Sequence, residues 1–220
     1  MQDTKISEKT LELNLSEELM TIVRAQHPNA FWYGPTLQDE KDLGYDTSLE
    51  NAAGIALFFQ FKRPLKFAGA EPKEFPYRFK IQKEQNNALV KLGKKFPKNV
   101  HYVFPLIGND KELASAIPNI RKETNFTPIE IVGELSGTNE HRVDVWRDRV
   151  KVYSPIEGPS IKPAELINFS QATTRTTFGE FKRVYNQIII AEYAMPVSSQ
   201  FGDEGYLMDS SPLHAMFIPT

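Results

Sequence analysis

The chain has 220 residues, with 26 lysines and arginines against 28 aspartates and glutamates, a formal net charge of −2. An apolar share of 40% and a charged share of 25% exclude a disordered chain and suffice for one hydrophobic core. The absence of cysteine excludes disulfides, zinc-thiolate sites and a thiol nucleophile, and the longest apolar run, residues 55–59, is far below the roughly 20 residues of a membrane span.

In chain order, Leu11, Leu13 and Leu15 alternate with polar residues, the period of a half-buried strand. Ser16 then reads as the N-cap of a helix, with Glu17 and Glu18 in its first turn, Leu15 and Met20 as a hydrophobic staple and His27-Pro28 as its stop. A loop over 29–42 leads into a short strand over 43–49. Residues 54–62 form the clearest strand of the sequence, and 63–76, with three prolines and a glycine, read as a long loop of the kind that often carries function.

A helix follows over 82–96, stopped by Pro97, and a buried strand over 100–106. Asn109 or Asp110 caps the next helix, and shorter strands are expected over 129–132, 141–146 and 150–153. Thr177, Phe178, Gly179 and Glu180 form a capping box that opens an amphipathic helix running to Ala194. The tail from Met195 has no period. With no linker in view, residues 1–125 are expected to form the core and 126–220 an α+β extension packed on it. The first five residues lack the apolar stretch of a secretory leader, so a cytoplasmic location is expected.

Charge is unevenly spread. Residues 60–100 hold eleven basic side chains against three acids, a surplus of eight, whereas 36–50 hold five acids against Lys41 alone. An acidic cluster abutting a basic stretch suits a metal site beside a polyanion groove. Within the basic stretch, the proline-rich loop with Lys66 and Lys73 is expected at the groove ahead of the helix lysines Lys94 and Lys95.

In the strand over 54–62 the odd positions are all apolar, while the even positions run Ala56, Phe58, Gln60, Lys62. One face is therefore core throughout and the other turns polar at its end. If 43–49 and 55–61 form a hairpin centred on Ala52, Asp46 faces Phe58 and lies diagonal to Gln60, within reach of a shared cation. A magnesium or manganese ion held by Asp46, the Gln60 amide oxygen and the Phe61 carbonyl would suit phosphodiester hydrolysis, with Lys62 steering water or stabilising charge. Further carboxylate charge would come from Glu40, Glu17 or Glu18.

This order of helix, strand with Asp46, apolar strand ending in Gln60-Phe61-Lys62-Arg63, helix and strand resembles the PD-(D/E)XK nuclease core. The Gln-x-Lys form is similar to that of Mrr-type restriction endonucleases. The resemblance covers about residues 11–106 and implies an α/β fold with a mixed central sheet flanked by helices, and a metal-dependent endonuclease acting in defence against foreign nucleic acid. By it, Asp46, Gln60 and Lys62 would be catalytic, Glu18 would match the N-terminal acid, and Gln82 or Gln85 would match a glutamine of the following helix. Arg63, Lys66, Lys73, Arg78, Lys80 and Gln85 would contact nucleic acid, DNA ahead of RNA. The insertion over 64–76 departs from the family pattern. A non-catalytic nucleic-acid-binding module, or a subunit partnered by a second copy or another protein, is the alternative. The four histidines have no ligand spacing, and the Phe31-Trp32-Tyr33 and Tyr77–Lys80 stretches read as structural strands or anchors before they read as base-stacking surfaces.

Overall fold

The computed structural model describes residues 2–33, 53–67, 76–147, 149–153, 174–193 and 213–219. After a two-residue strand β1 (Gln2–Asp3), helix α1 runs over Glu8–Arg24. Its N-cap is Ser7, whose hydroxyl accepts from the Thr10 N–H at 3.0 Å. The strand expected over 11–15 is therefore helix, and Ser16 lies in its middle. Leu11, Leu15, Leu19 and Val23 recur every four residues and are buried, while Leu13 is 58% exposed. The two-residue alternation was a short stretch of a longer helical series.

Strands β2 (Phe31–Tyr33), β3 (Ala53–Phe61), β4 (Lys66–Phe67) and β5 (Tyr77–Gln82) follow. Next come helix α2 (Lys83–Lys95), strand β6 (Val100–Pro105) and helix α3 (Asp110–Ala116), which is capped by the Asn109 side chain. A 3-10 turn (Ile120–Glu123) leads into β7 (Thr124–Pro128). Residues 129–132, expected as a strand, form one helical turn, α4 (Ile129–Val132). Pro128 precedes it and Gly133, at φ +68°, ends it by donating to the Ile129 carbonyl at 2.9 Å. The four residues Ile129-Glu130-Ile131-Val132 are too few for their pattern to tell strand from helix. β8 (Glu140–Val145), β9 (Val150–Tyr153), β10 (Arg175–Thr177), α5 (Phe178–Tyr193) and β11 (His214–Pro219) complete the described elements.

The strands form two sheets. One has the order β2-β11-β3-β6-β7, with β10 also paired to β3; the other has the order β1-β4-β5-β8-β9. β3 and β6 are parallel and the other pairs antiparallel, so the six-stranded sheet is mixed, with helices on both faces. On one face α1 packs Leu11, Leu15 and Leu19 against Leu57, Phe59, Phe61 and Met216. The other face, with Ala56, Phe58, Tyr102 and Phe217, packs against α2, α5 and the second sheet through Leu89, Phe181, Phe79 and Val143. An α/β architecture with a mixed sheet flanked by helices is what the fold shows.

β11 comes from the tail for which no period was expected. It lies between β2 and β3, and Ala215, Met216 and Phe217 are fully buried. A strand buried on both faces does not alternate, which hides it from a periodicity reading. The Tyr185 hydroxyl donates to the Leu213 carbonyl at 2.5 Å, fixing the chain where β11 begins. Gly54 allows the close approach of β3 and β11, since a Cβ there would stand 2.5 Å from the Phe217 ring and 2.6 Å from the Ile218 carbonyl oxygen.

Three organisational expectations change. The boundary at residue 125 falls inside β7, and β8 and β11 pair with β5 and β3, so the two halves interleave rather than stack as core and extension. The stretch 63–76 is not all loop, because Lys66–Phe67 pairs with β1 and β5. The hairpin register is also replaced. Phe58, expected opposite Asp46, has Ala215 on one side and Val100 on the other. Asp46 itself, with Glu40, Lys73 and the whole 43–49 stretch, lies outside the described residues.

Candidate functional site at the end of strand β3

β3 places alternate side chains on opposite faces of the sheet. Phe59 and Phe61 face α1, whereas Ala56, Phe58, Gln60 and Lys62 share the other face. Gln60 is 0% and Lys62 1% exposed, and Gln60 is registered against Tyr102 on the parallel strand β6. The Lys62 N–H donates to the Val103 carbonyl at 3.0 Å, extending the parallel pairing one residue beyond the strand. The Gln60 amide nitrogen donates to the Phe61 carbonyl at 3.3 Å. An amide and an ammonium thus sit two residues apart in the interior, where polar groups need partners.

Glu18 is not brought to this cluster. Its Oε1 lies 3.2 Å from Arg121 Nε, and its Oε2 accepts from the Arg121 N–H at 3.2 Å. Both contacts fasten α1 to the 3-10 turn, beside a cleft of about 390 Å³ lined also by Asn14, Thr21 and Ile117. α1 packs on the Phe59/Phe61 face, so Glu18 and Gln60 stand on opposite sides of the sheet.

The α1 acids that do reach the end of β3 are Glu8 and Glu12, which the sequence reading did not single out. A Glu8 carboxylate oxygen accepts from the Arg63 N–H at 3.0 Å. Glu12 is 4% exposed, with one oxygen 3.1 Å from His214 Nε2 and 2.5 Å from Lys9 Nζ. Burial acts to raise the Glu12 pKa, but His214 and Lys9 outweigh it and hold the carboxyl below its ordinary value. The His214 ring stands edge-on to Phe61, with centroids 5.3 Å apart. A carboxylate–imidazole pair can hold and pass a proton. The available signal was positional: one acid inside a leucine stripe, and one histidine heading an apolar hexamer.

Three of the eleven basic side chains of 60–100 meet acids from later in the chain. Arg78 pairs with Asp144 at 3.1 Å, Lys80 with Glu140 at 2.5 Å and Lys94 with Glu134 at 2.7 Å. Arg63 is exposed, Lys66 lies on β4 with its backbone opposite Arg78, and Gln85 stands half-buried in the first turn of α2.

Among the described residues no three histidine, aspartate or glutamate side chains form a metal-binding group. Gln60 and the Phe61 carbonyl offer neutral oxygens alone, and magnesium sites are built around one or two carboxylates. The described residues by themselves therefore do not fit a magnesium site. His101 in β6 is buried against Phe59, with ring centroids 6.1 Å apart, and burial pushes its pKa down to about 4. Its neutral ring serves packing. No described helix is long and apolar enough to cross a membrane. The chain matches no protein-family model, no curated protein and no solved structure.

Proposed function

We propose that the chain is a nuclease of the PD-(D/E)XK type, cleaving phosphodiester bonds in DNA, with Gln60 and Lys62 at the heart of its site. The observation that carries this reading is the burial of both side chains, side by side, where β3 ends parallel to β6. Open α/β sheets take their ligands at the carboxyl ends of such strands. In this reading the Lys62 ammonium stabilises charge developing on the phosphate or orients the attacking water. Gln60 positions the phosphodiester through its amide. The carboxylates that a metal would demand fall to Asp46 and Glu40, and a role in defence against foreign nucleic acid rests on the family resemblance.

A second reading has its own observations. The Gln60 amide nitrogen is committed to the Phe61 carbonyl, and Glu18 to Arg121. Both favour a relative of these nucleases that keeps the buried pair as structure and works as a non-catalytic nucleic-acid-binding subunit. Incubating the purified protein and its Lys62→Ala variant with plasmid and single-stranded DNA separates the two. The arms contain magnesium, manganese or chelator. Metal-dependent cleavage lost in the variant supports the nuclease, and equal inactivity of both proteins supports the binding subunit.

A further inference from the structure

The five-stranded sheet turns one face inward and the other to solvent. Phe79, Ile81, Val143, Val145, Val150 and Val152 alternate inward and are buried. The register lines up their outward neighbours in rows. Arg78, Asp144 and Lys151 stand opposite one another across β5, β8 and β9, as do Lys80, Arg142 and Tyr153. At the turn joining β8 to β9 the Trp146 N–H donates to the Arg149 carbonyl at 2.8 Å, and the Arg149 guanidinium lies over the Trp146 ring at 4.5 Å.

Five cations on this face share two carboxylates. Asp144, 2% exposed, takes Arg78 at 3.1 Å and Arg142 at 3.0 and 2.5 Å. It neutralises one guanidinium and leaves the charge of the other. Glu140 takes Lys80. Lys151 and Arg149 have no carboxylate partner among the described residues; their partners are rings. Lys151 Nζ lies 4.6 Å from the Tyr153 centroid, and the Arg142 guanidinium lies 4.2 Å from the same ring. A ring holds a cation in place without cancelling its charge.

We propose that this face binds single-stranded nucleic acid. Phosphates lie along Arg78, Arg142, Lys151 and Arg149, and a base stacks at the Tyr153 or Trp146 ring. Cations in excess of their carboxylates, interleaved with half-buried aromatics on an open sheet face, match that ligand's alternation of charge and ring. A duplex buries the faces of its bases, and an acidic polypeptide offers carboxylates without ring planes. The face adjoins the candidate site in the chain, since the Leu65 N–H, three residues after Lys62, donates to the Arg78 carbonyl at 2.7 Å. Binding here does not rest on the hydrolytic reading of Lys62.

The test titrates the full chain into fluorescein-labelled oligo-dT and oligo-rU, read by anisotropy over a range of salt. Wild type is expected to bind with a slope of log K against log salt of about −0.7 per phosphate. The Lys151→Glu/Arg149→Glu variant is expected to bind at least about tenfold more weakly, with a slope shallower by about 1.4. Tyr153→Leu is expected to weaken binding by about fivefold or more with the slope unchanged. Thermal unfolding verifies that each variant folds, and both sets of substitutions lie at solvent-facing positions. Binding of dT, of rU or of both supports the proposal and assigns the sugar. Plasmid cleavage is read separately on the same variants, so a failed hydrolytic site and a failed binding face show in different assays. No wild-type binding, affinity untouched by both variants, or equal competition by duplex DNA or polyglutamate would overturn it.

Discussion

Glu12 on the first helix and His214 at the head of the last described strand stand 3.1 Å apart. The contact joins the two ends of the described chain beside the end of β3, where Arg63 is also held by Glu8. It closes the sheet around the strand that carries Gln60 and Lys62, because β11 is registered along β3 from Gly54 to Phe59.

Removing the carboxylate charge should loosen that closure. Glu12→Gln keeps the shape of the side chain and withdraws the partner of a buried contact, at an expected loss of about 1–3 kcal/mol in denaturant unfolding at pH 7. The folded Glu12 carboxyl lies below its ordinary pKa, so its stabilisation is present above that ordinary value and is lost as pH falls through the folded one. The gap between wild type and variant should be full at pH 7 and close in acid. A double-mutant cycle with His214→Gln should return a coupling of at least about 0.5 kcal/mol. A cycle with no coupling would mean the contact contributes nothing.

Acid sensitivity has a second source in His101. Its folded pKa near 4 lies below the ordinary 6.5, so the unfolded chain binds a proton across that interval and the folded chain does not. Stability is therefore fully present above 6.5 and falls as pH drops toward 4, by about 3 kcal/mol over the interval. His101→Phe should flatten the stability profile between those values. An unchanged profile in the variant would show that the imidazole already finds room to charge.

The approach of β3 to β11 makes Gly54 intolerant of a side chain. Gly54→Val would drive a Cβ toward the Phe217 ring and a backbone carbonyl that cannot swing away. The expected cost is about 2 kcal/mol or more, seen as a lowered Tm. A Tm unchanged by the substitution would show that the strands can separate without penalty.

Much of the fold is written locally. Residues 54–62 announce β3 by an apolar run, Asn109 and Thr177 announce α3 and α5 by their caps, and Pro97 announces the end of α2. Features decided by distant pairing are not legible in this way. Leu11, Leu13 and Leu15 fit two periods until Leu19 and Val23 are counted. The hexamer His214–Pro219 becomes a strand only because β2 and β3 flank it on both edges. The candidate site divides along the same line. Gln60 and Lys62 stand out as polar residues ending an apolar strand, whereas Glu12 and His214 acquire meaning through a contact between opposite ends of the chain. The basic surplus of 60–100 is altered in the same way, since Asp144, Glu140 and Glu134 return to pair with three of its cations.

The proposed hydrolytic role of the buried Gln60–Lys62 pair is tested by cleavage of supercoiled plasmid by wild type, Lys62→Ala and Gln60→Ala, with magnesium, manganese or chelator. Divalent-dependent nicking by wild type is expected, abolished by chelator and reduced at least about a hundredfold in Lys62→Ala, whose folding is verified by its unfolding curve. Cleavage undiminished in a folded Lys62→Ala protein, or none by wild type with either metal, would contradict it.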